Sequence, residues 1–226
     1  MRTTNVTEPS STGIWDLPTR LFHWALVVLI ALQFATAEFG FLSMEWHYRF
    51  GWAALALIVF RIAWGFAGSQ TSRFADFVRG PAVVMRYAKA MFSTNPQMHI
   101  GHNPLGGWSV LAILACVLVQ AVSGLFTSDG IDEDGPFVDA VSSATVKLAT
   151  KLHHLGETVL IALIALHVAA VLLHWLVKRD NLIVPMITGR KRIDSPAPVR
   201  FASGWLALVL FAIAAAAIIL LSRAGG

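Results

Sequence analysis

His153 and His167 lie fourteen residues apart in a segment that is otherwise apolar enough to cross a membrane. In an α-helix this spacing places both side chains on nearly one face, about 21 Å apart along the helix axis. This distance is most of the hydrocarbon thickness of a bilayer, which is about 30 Å. Because ionisable side chains are costly inside a membrane, two on one face indicate a functional site. The spacing predicts two stacked metal centres.

The composition is that of a polytopic membrane protein. Of the 226 residues, 56% are hydrophobic and only 13% are charged, about half the charged fraction of a soluble domain. Lysine and arginine exceed aspartate and glutamate by 17 to 13, a formal net charge of +4. These basic residues are spread over a few loops instead of one patch. That distribution is typical of membrane topology and argues against a nucleic-acid partner.

The chain has one cysteine, Cys116, in an apolar run. A single cysteine cannot form an intrachain disulfide. It also excludes iron–sulfur clusters and zinc sites built from several thiolates. The Cys-x-x-Cys-His motif is absent from the sequence, so a haem would be bound without a covalent link.

Five apolar runs predict an all-α fold of membrane-spanning helices. Each run is close to the ~20 residues that a helix needs to cross a bilayer. The predicted spans are residues 21–37, 48–66, 108–126, 155–177 and 205–221. The first four predicted spans fall within residues 1–190, and residues 191–226 are expected to add a cytoplasmic linker and a fifth span.

Loop charges predict the orientation of the spans. Four basic residues fall in residues 73–89 and six in residues 178–200, whereas residues 129–139 hold five acidic ones. The positive-inside rule therefore predicts a cytoplasmic N-terminus and a C-terminus on the outer side of the membrane. Residues 74–89 also interleave aromatic and aliphatic residues with basic ones. This pattern is typical either of an amphipathic helix on the lipid headgroups or of an ordinary helical loop.

The predicted orientation sorts four histidines into two pairs. His23 opens the first span on the cytoplasmic side, and His167 lies in the cytoplasmic half of the fourth. His47 opens the second span and His153 opens the fourth, both on the outer side. Spacing and orientation together predict two bis-histidine sites, one in each leaflet.

Haem is the metal group that such pairs fit best. Zinc usually takes three or four protein ligands, so two histidines without a carboxylate or thiolate make a poor zinc site. Haem needs only axial ligands, because the porphyrin supplies four nitrogens and its ring suits an apolar slot between helices. The alternative is that the histidines are merely hydrogen-bonded within the bundle.

Three further histidines fit the two sites less well. His154 adjoins His153 but points about 100° away from it around the helix, so it is expected off the ligand face. His174 lies seven residues past the inner ligand of the fourth span, where it would contact either a haem propionate, a quinone or the membrane interface. His102, within Gly-His-Asn-Pro-Leu-Gly-Gly, is equally well explained as a turn residue.

Two arginines are candidates for pairing with haem propionates. Arg61 lies fourteen residues after His47, on nearly the same helical face but near the inner leaflet. Arg20 lies three residues before His23. For both side chains the alternative is snorkelling to the cytoplasmic headgroups.

These motifs resemble the bacterial cytochrome b561 family, which includes the b-type cytochrome subunits of nickel–iron hydrogenases. The resemblance rests on residues 15–24 (Trp-Asp-Leu-Pro-Thr-Arg-Leu-Phe-His-Trp), on His47 with Arg61, on residues 101–107 and on the segment from His153 to residue 181. Together these pieces span residues 15–190. The four-helix gamma subunit of formate dehydrogenase is similar in its fourteen-residue histidine spacing.

The resemblance implies a four-helix bundle with two non-covalent b haems in a bacterial inner membrane. By motif position it gives His23 and His167 to the inner haem, and His47 and His153 to the outer haem. It also implies quinone chemistry near the inner haem. The fifth span lies beyond the shared core.

The leading functional hypothesis is an electron-transfer subunit. It would move electrons between an outer-face partner, either a cytochrome c or a dehydrogenase or hydrogenase subunit, and the membrane quinone pool. The acidic segment 129–139 is a candidate docking surface for that partner, or simply a solvated loop. One alternative is a stand-alone quinone oxidoreductase acting on superoxide or a small reductant. Another is a transporter whose histidines carry ions or protons. The sequence shows no catalytic nucleophile motif, phosphate loop or dehydrogenase cofactor motif.

Overall fold

The computed structural model describes residues 10–90, 100–193 and 198–225 and consists mainly of helices. Along the chain the helices are α1 (Leu17–Phe39), α2 (Met44–Ala67), α3 (Phe74–Phe77), α4 (Pro81–Ala90), α5 (Pro104–Gly124), α6 (Ser143–Leu176), α7 (Ile183–Thr188) and α8 (Gly204–Ala224). Among the described residues, α1, α2, α5, α6 and α8 are long and apolar enough to cross a membrane. The predicted all-α polytopic fold with five spans is confirmed.

The start of the fourth span differs from the prediction. Helix α6 begins at Ser143, twelve residues before the predicted start at residue 155, because the Ser142 hydroxyl accepts the Thr145 N–H and caps the helix. The helix of 34 residues is about 51 Å long, which exceeds the hydrocarbon thickness of a bilayer. His153 therefore lies ten residues after the first residue of α6, close to the predicted start of the membrane span at residue 155.

A buried carboxylate joins the beginning of α1 to the end of α2. Asp16 caps α1 by accepting the Thr19 N–H at 2.7 Å through one oxygen. Its other oxygen accepts from the Trp64 indole at 3.1 Å and from the Ser72 hydroxyl at 3.3 Å. Trp64 is fully buried, so Asp16 supplies the partner that its N–H would otherwise lack.

The long helices pack unequally. Helix α2 is central and packs on α1, α5 and α8, whereas among the described residues α6 packs extensively only on α5. The main core contains Phe22 of α1, Ile58 and Trp64 of α2, Leu114 of α5 and Leu160 of α6. The histidine-bearing face of α6 is therefore not covered by a close-packed helix.

Helix α8 packs on α2. Ala207, Ala214 and Ile218 are buried there, and the Phe60 and Phe211 rings meet edge to face at 5.8 Å. Small residues allow the two backbones to approach closely, which is the usual way helices associate in membranes.

A short sheet closes the end of the bundle that carries His23. Strand β1 (Ser10–Gly13) pairs antiparallel with β2 (Arg190–Ile193). Between α7 and β2, Gly189 adopts a φ of +79°, and a Cβ there would lie 2.8 Å from the Trp15 carbonyl oxygen. The predicted division at residue 190 falls at the first residue of β2.

The segment between α2 and α5 is partly helical. No residue of α4 is buried, Arg86 and Lys89 are exposed, and the helix packs on the beginning of α5. A helix here is consistent with both interpretations of the sequence pattern.

Replacing Asp16 should destabilise the bundle. The change Asp16→Ala removes a helix cap worth about 1 kcal/mol and leaves buried donors unpaired, so we expect a loss of about 2–4 kcal/mol. Asp16→Asn keeps an accepting oxygen and should lose less. Thermal unfolding in detergent measures both variants. Equal losses, or none, would contradict the role assigned to the carboxylate.

Candidate haem sites

Four histidines meet in two pairs at different levels of the bundle. His23 of α1 faces His167 of α6, with ring centres 6.5 Å apart and ring planes inclined by 50°. His47 of α2 faces His153 of α6, with ring centres 6.4 Å apart and planes inclined by 75°. After the orientation predicted from loop charges, we name the first pair the inner site and the second the outer site.

Both separations fit one metal ion held between two imidazoles. A metal–imidazole nitrogen bond is about 2 Å long and the nitrogen lies about 1 Å from its ring centre, so two axial imidazoles have centres about 6 Å apart. Within the described ranges, no cluster of three or more His, Cys, Asp or Glu side chains is arranged to hold a metal. A metal that brings its own equatorial ligands, as haem does, therefore matches the donor set.

His153, the member of the outer pair on α6, is held by α5. Nδ1 of His153 donates to the Gln120 carbonyl oxygen at 2.9 Å and lies 3.3 Å from the Ser123 hydroxyl. Donation from Nδ1 leaves the Nε2 lone pair free for a metal, which is the usual arrangement of ligating histidines. Gly124 makes room for this ring, because a Cβ there would lie 2.9 Å from Cε1 of His153.

His47, the member of the outer pair on α2, is held by α1. Nδ1 of His47 lies 3.1 Å from the Thr36 hydroxyl. That hydroxyl is also 2.9 Å from the carbonyl oxygens of Leu32 and Gln33, one of which takes its hydrogen. Thr36 is buried, so its contact with His47 is shielded from solvent.

The surroundings of the inner site are different. His23 packs edge-on against Trp24, with ring centres 4.9 Å apart. Its buried Nδ1 has no hydrogen-bond partner among the described residues. The inner site thus has aromatic neighbours where the outer site has hydroxyl and carbonyl groups.

Arg61 lies buried at the inner end and does not reach the surface. Its residue exposure is 2%, and its guanidinium packs over Phe22 at 5.9 Å and Phe74 at 5.3 Å. One terminal nitrogen has no hydrogen-bond partner among the described residues. A buried cation with a free donor is suited to an anionic group such as a carboxylate, whereas a snorkelling arginine would be exposed.

Arg20 and Trp24 contact the end of α7. The Arg20 guanidinium donates to the Ile187 carbonyl oxygen, and the Trp24 indole donates to the Met186 carbonyl oxygen at 3.2 Å. Nε of Arg20 is buried without a partner among the described residues. The structure therefore places Arg20 beside the chain that covers the inner end.

His174 and His154 belong to neither pair, although the His154 ring centre lies 6.5 Å from that of His153. His174 is buried, with Nδ1 donating to the Ala170 carbonyl oxygen at 2.9 Å and Nε2 lying 3.3 Å from the Asn103 amide nitrogen. Both of its ring nitrogens are thus engaged within the protein. His154 is exposed.

His102 is more buried than its turn-like sequence indicates. Its ring lies 4.7 Å from Trp15 and 4.6 Å from Phe77, measured between ring centres. Burial, reinforced by the charge of Arg61, lowers the pKa of His102 to about 3. The ring is therefore neutral at physiological pH, and it packs as an aromatic residue beside the inner end.

Sequence reasoning missed the residues that support the outer ligands. The residues concerned are Thr36, Gln120 and Ser123, which are polar residues inside apolar spans. A polar residue in an apolar span is the sequence feature that could have identified them. Their contacts with His47 and His153 depend on how the helices pack, which spacing within one helix does not reveal.

The acidic loop lies at the outer end of the bundle. The Tyr48 hydroxyl, one residue after the outer ligand His47, donates to Glu133 at 3.1 Å. The backbone N–H of Ile131 donates to Asp129 at 2.8 Å. This bond and neighbouring ones hold the pKa of Asp129 below its ordinary value. The loop is thus an ordered, negatively charged surface close to the outer site.

Comparison with known proteins assigns these features to a family. The model of the prokaryotic cytochrome b561 family matches residues 14–189, a range that contains all four paired histidines. No solved structure matches the chain.

Several relatives carry the description probable Ni/Fe-hydrogenase B-type cytochrome subunit. The relative from Azotobacter vinelandii is 21% identical over 228 residues, which cover 85% of this chain and 93% of that protein. The relative from Bradyrhizobium diazoefficiens is 22% identical, with 79% and 85% covered. The relative from Cupriavidus necator is 23% identical, with 79% and 86% covered.

Histidine substitutions on α6 test the two sites separately. We expect His167→Ala to remove the inner haem and His153→Ala to remove the outer one, because each iron loses an axial bond. The other haem should remain in each variant, since sites about 21 Å apart without shared ligands behave nearly independently. His154→Ala, the matched control, should keep both. Haem content and redox titration of the purified variants decide the matter. Haem loss in His154→Ala but not in His153→Ala would show that the ligand assignment is wrong.

Removal of α8 tests whether the fifth span is needed for haem binding. Residues 205–221 contain no histidine and no charged residue, and α8 packs on α2 without contributing to either pair. Truncation after Arg200 should therefore retain both haems, while the loss of packing on α2 lowers the unfolding temperature. Haem quantification of the truncated protein checks this. Loss of either haem would show that α8 holds α2 in register.

Proposed function

The chain belongs to the prokaryotic cytochrome b561 family of membrane b-type cytochromes, and we propose that it is the electron-transfer subunit of a quinone-linked oxidoreductase. In this proposal two bis-histidine b haems carry electrons between a redox partner at the outer face and the membrane quinone pool. The membrane is the bacterial inner membrane, with the N-terminus in the cytoplasm and the C-terminus in the periplasm.

The observation that carries the proposal is the presence of two histidine pairs that each have one member on α6. Both ring separations, 6.5 and 6.4 Å, would allow the two imidazoles of each pair to hold one metal ion between them. The fourteen-residue stagger of His153 and His167 sets the pairs about 21 Å apart along α6. A single site would have no need of this arrangement, whereas a path across the bilayer requires centres in both leaflets.

Different residues of the chain would bind the two haems. When bound, b haem supplies a one-electron iron couple. His23 and His167 would hold the inner group, and His47 and His153 the outer one. The apolar faces of the surrounding helices would exclude water. Arg61 would offer its free donor and positive charge to a carboxylate at the inner end.

Quinone exchange is assigned to the inner end. Reduction of a quinone consumes protons as well as electrons, so its site needs polar groups near the cytoplasm. The inner end holds a buried polar network in which Asp16 bonds to Trp64 and Ser72, and the Thr19 and Ser72 hydroxyls lie 2.6 Å apart. This network supports placing the proton-coupled half of the reaction at the inner end.

The outer partner is proposed to be a hydrogenase or a related dehydrogenase subunit. The descriptions of the relatives name Ni/Fe-hydrogenase, and the ordered acidic loop around Asp129 and Glu133 lies next to the outer site. Complementary charge on a partner would steer its approach to this end.

Purification under mild detergent from the native membrane tests the proposal. We expect a reduced-minus-oxidised spectrum of b haem with about two haems per chain, and a copurifying redox subunit whose substrate reduces them. Addition of a quinone analogue should reoxidise the haems. His167→Ala is the matched control, because it should block reoxidation while the outer haem remains reducible.

Three other results would redirect the assignment. Reduction of quinone by the isolated chain with superoxide or a small reductant would favour the stand-alone oxidoreductase. An absence of haem absorption would leave the transporter hypothesis. Normal reoxidation by quinone in His167→Ala would contradict quinone exchange at the inner end.

A further inference from the structure

Two polar residues of α1 converge on a single nitrogen of His47. The Thr36 hydroxyl lies 3.1 Å from Nδ1. The carboxamide of Gln33, one turn earlier, lies against the same atom. In the orientation that pairs both ends of this amide, its NH2 group lies 2.8 Å from Nδ1 and 3.1 Å from the His47 carbonyl oxygen, and its oxygen accepts from the Gly51 N–H at 2.8 Å. Two side chains therefore compete for one ring nitrogen.

The two contacts favour opposite tautomers of His47. The only hydrogen of the Thr36 hydroxyl is directed to the carbonyl oxygen of Leu32 or Gln33, each 2.9 Å away. Its lone pairs therefore remain to accept from Nδ1–H, the tautomer that leaves Nε2 free for a metal. A Gln33 NH2 group that donates to Nδ1 requires the proton on Nε2 instead.

We propose that Thr36 is the positioning residue for the outer haem: its hydroxyl accepts the Nδ1 proton of His47, selects the metal-binding tautomer against Gln33 and tunes the reduction potential of that haem. The inference rests on the assignment of His47 and His153 as ligands in the proposed function. Thr36 acts through His47 and does not touch the iron.

The surroundings of His153 and His23 indicate that a substitution at Thr36 acts on the outer haem alone. His153 donates to the Gln120 carbonyl oxygen, a main-chain acceptor that no side-chain replacement removes. His23 at the inner site has no partner for Nδ1 among the described residues. A change at Thr36 should therefore affect the outer haem and spare the inner one.

The direction of the effect follows from ligand basicity. An acceptor on Nδ1–H gives the imidazole more electron density to donate, and this stabilises the oxidised metal. Thr36→Val keeps the shape of the buried side chain but removes the acceptor. We expect it to raise the reduction potential of the outer haem and to speed loss of that haem about tenfold or more, in line with the effect of other outer-shell substitutions.

The experiment is a redox titration of the holoprotein in detergent, with haem transfer to an excess of a haem-scavenging globin as a second readout. Thr36→Ser should restore both values towards those of the parent. Gln33→Leu removes the competing donor and should leave the outer haem bound at least as tightly. Thr188→Val is the matched control, because Thr188 makes the same bond to the carbonyl four residues earlier, at 3.0 Å, away from the outer site.

The outcomes separate this inference from the proposed function. An outer potential and release rate that are unchanged in Thr36→Val would overturn the inference, as would a shift in Gln33→Leu but not in Thr36→Val. Equal shifts of both haems would also overturn it, because they would indicate a general loosening of the bundle. If His47→Ala retained both haems, the ligand assignment itself would fail.

Discussion

Buried histidines are the constraint on which the rest of this bundle depends. An imidazole in the hydrocarbon region is costly unless its nitrogens find partners, and in this chain four of them lie in two facing pairs. Helix α6 carries one member of each pair, so its rotation about its own axis determines both sites together. It packs closely on α5, while His167 meets His23 of α1 and His153 meets His47 of α2.

The two ends of the bundle solve the burial of polar groups in different ways. At the outer end each ligand has a neutral oxygen beside Nδ1, from Thr36 or from the Gln120 carbonyl. At the inner end the neighbours are aromatic rings and the buried cation Arg61. The free donor of Arg61 is matched by no group within the described residues. The positive charge and free donor at this end therefore suit an anionic ligand. The neutral oxygens at the outer end suit the orientation of imidazole rings.

Helix α8, the Asp16 network and the short sheet add contacts around α1 and α2. Helix α8 covers one face of α2, and the Asp16 network ties the end of α2 to the start of α1. The pairing of β1 with β2 joins the N-terminal segment to the chain that follows α7. These contacts lie away from the histidine faces, so they can stabilise α1 and α2 without occupying the space between the paired rings.

The sequence alone determined what depends on neighbouring residues within one segment: five spans, the all-α class and the common face of His153 and His167. Hydropathy and helical period act locally, so these features were predictable. The start of α6 was not, because a polar cap at Ser142 extends a helix beyond its apolar part. The tertiary structure was needed to show that Arg61 is buried, that Arg20 contacts the end of α7 and that Thr36 contacts His47. Each of these contacts joins segments that are separate in sequence, and which of them forms depends on the packing and rotation of whole helices.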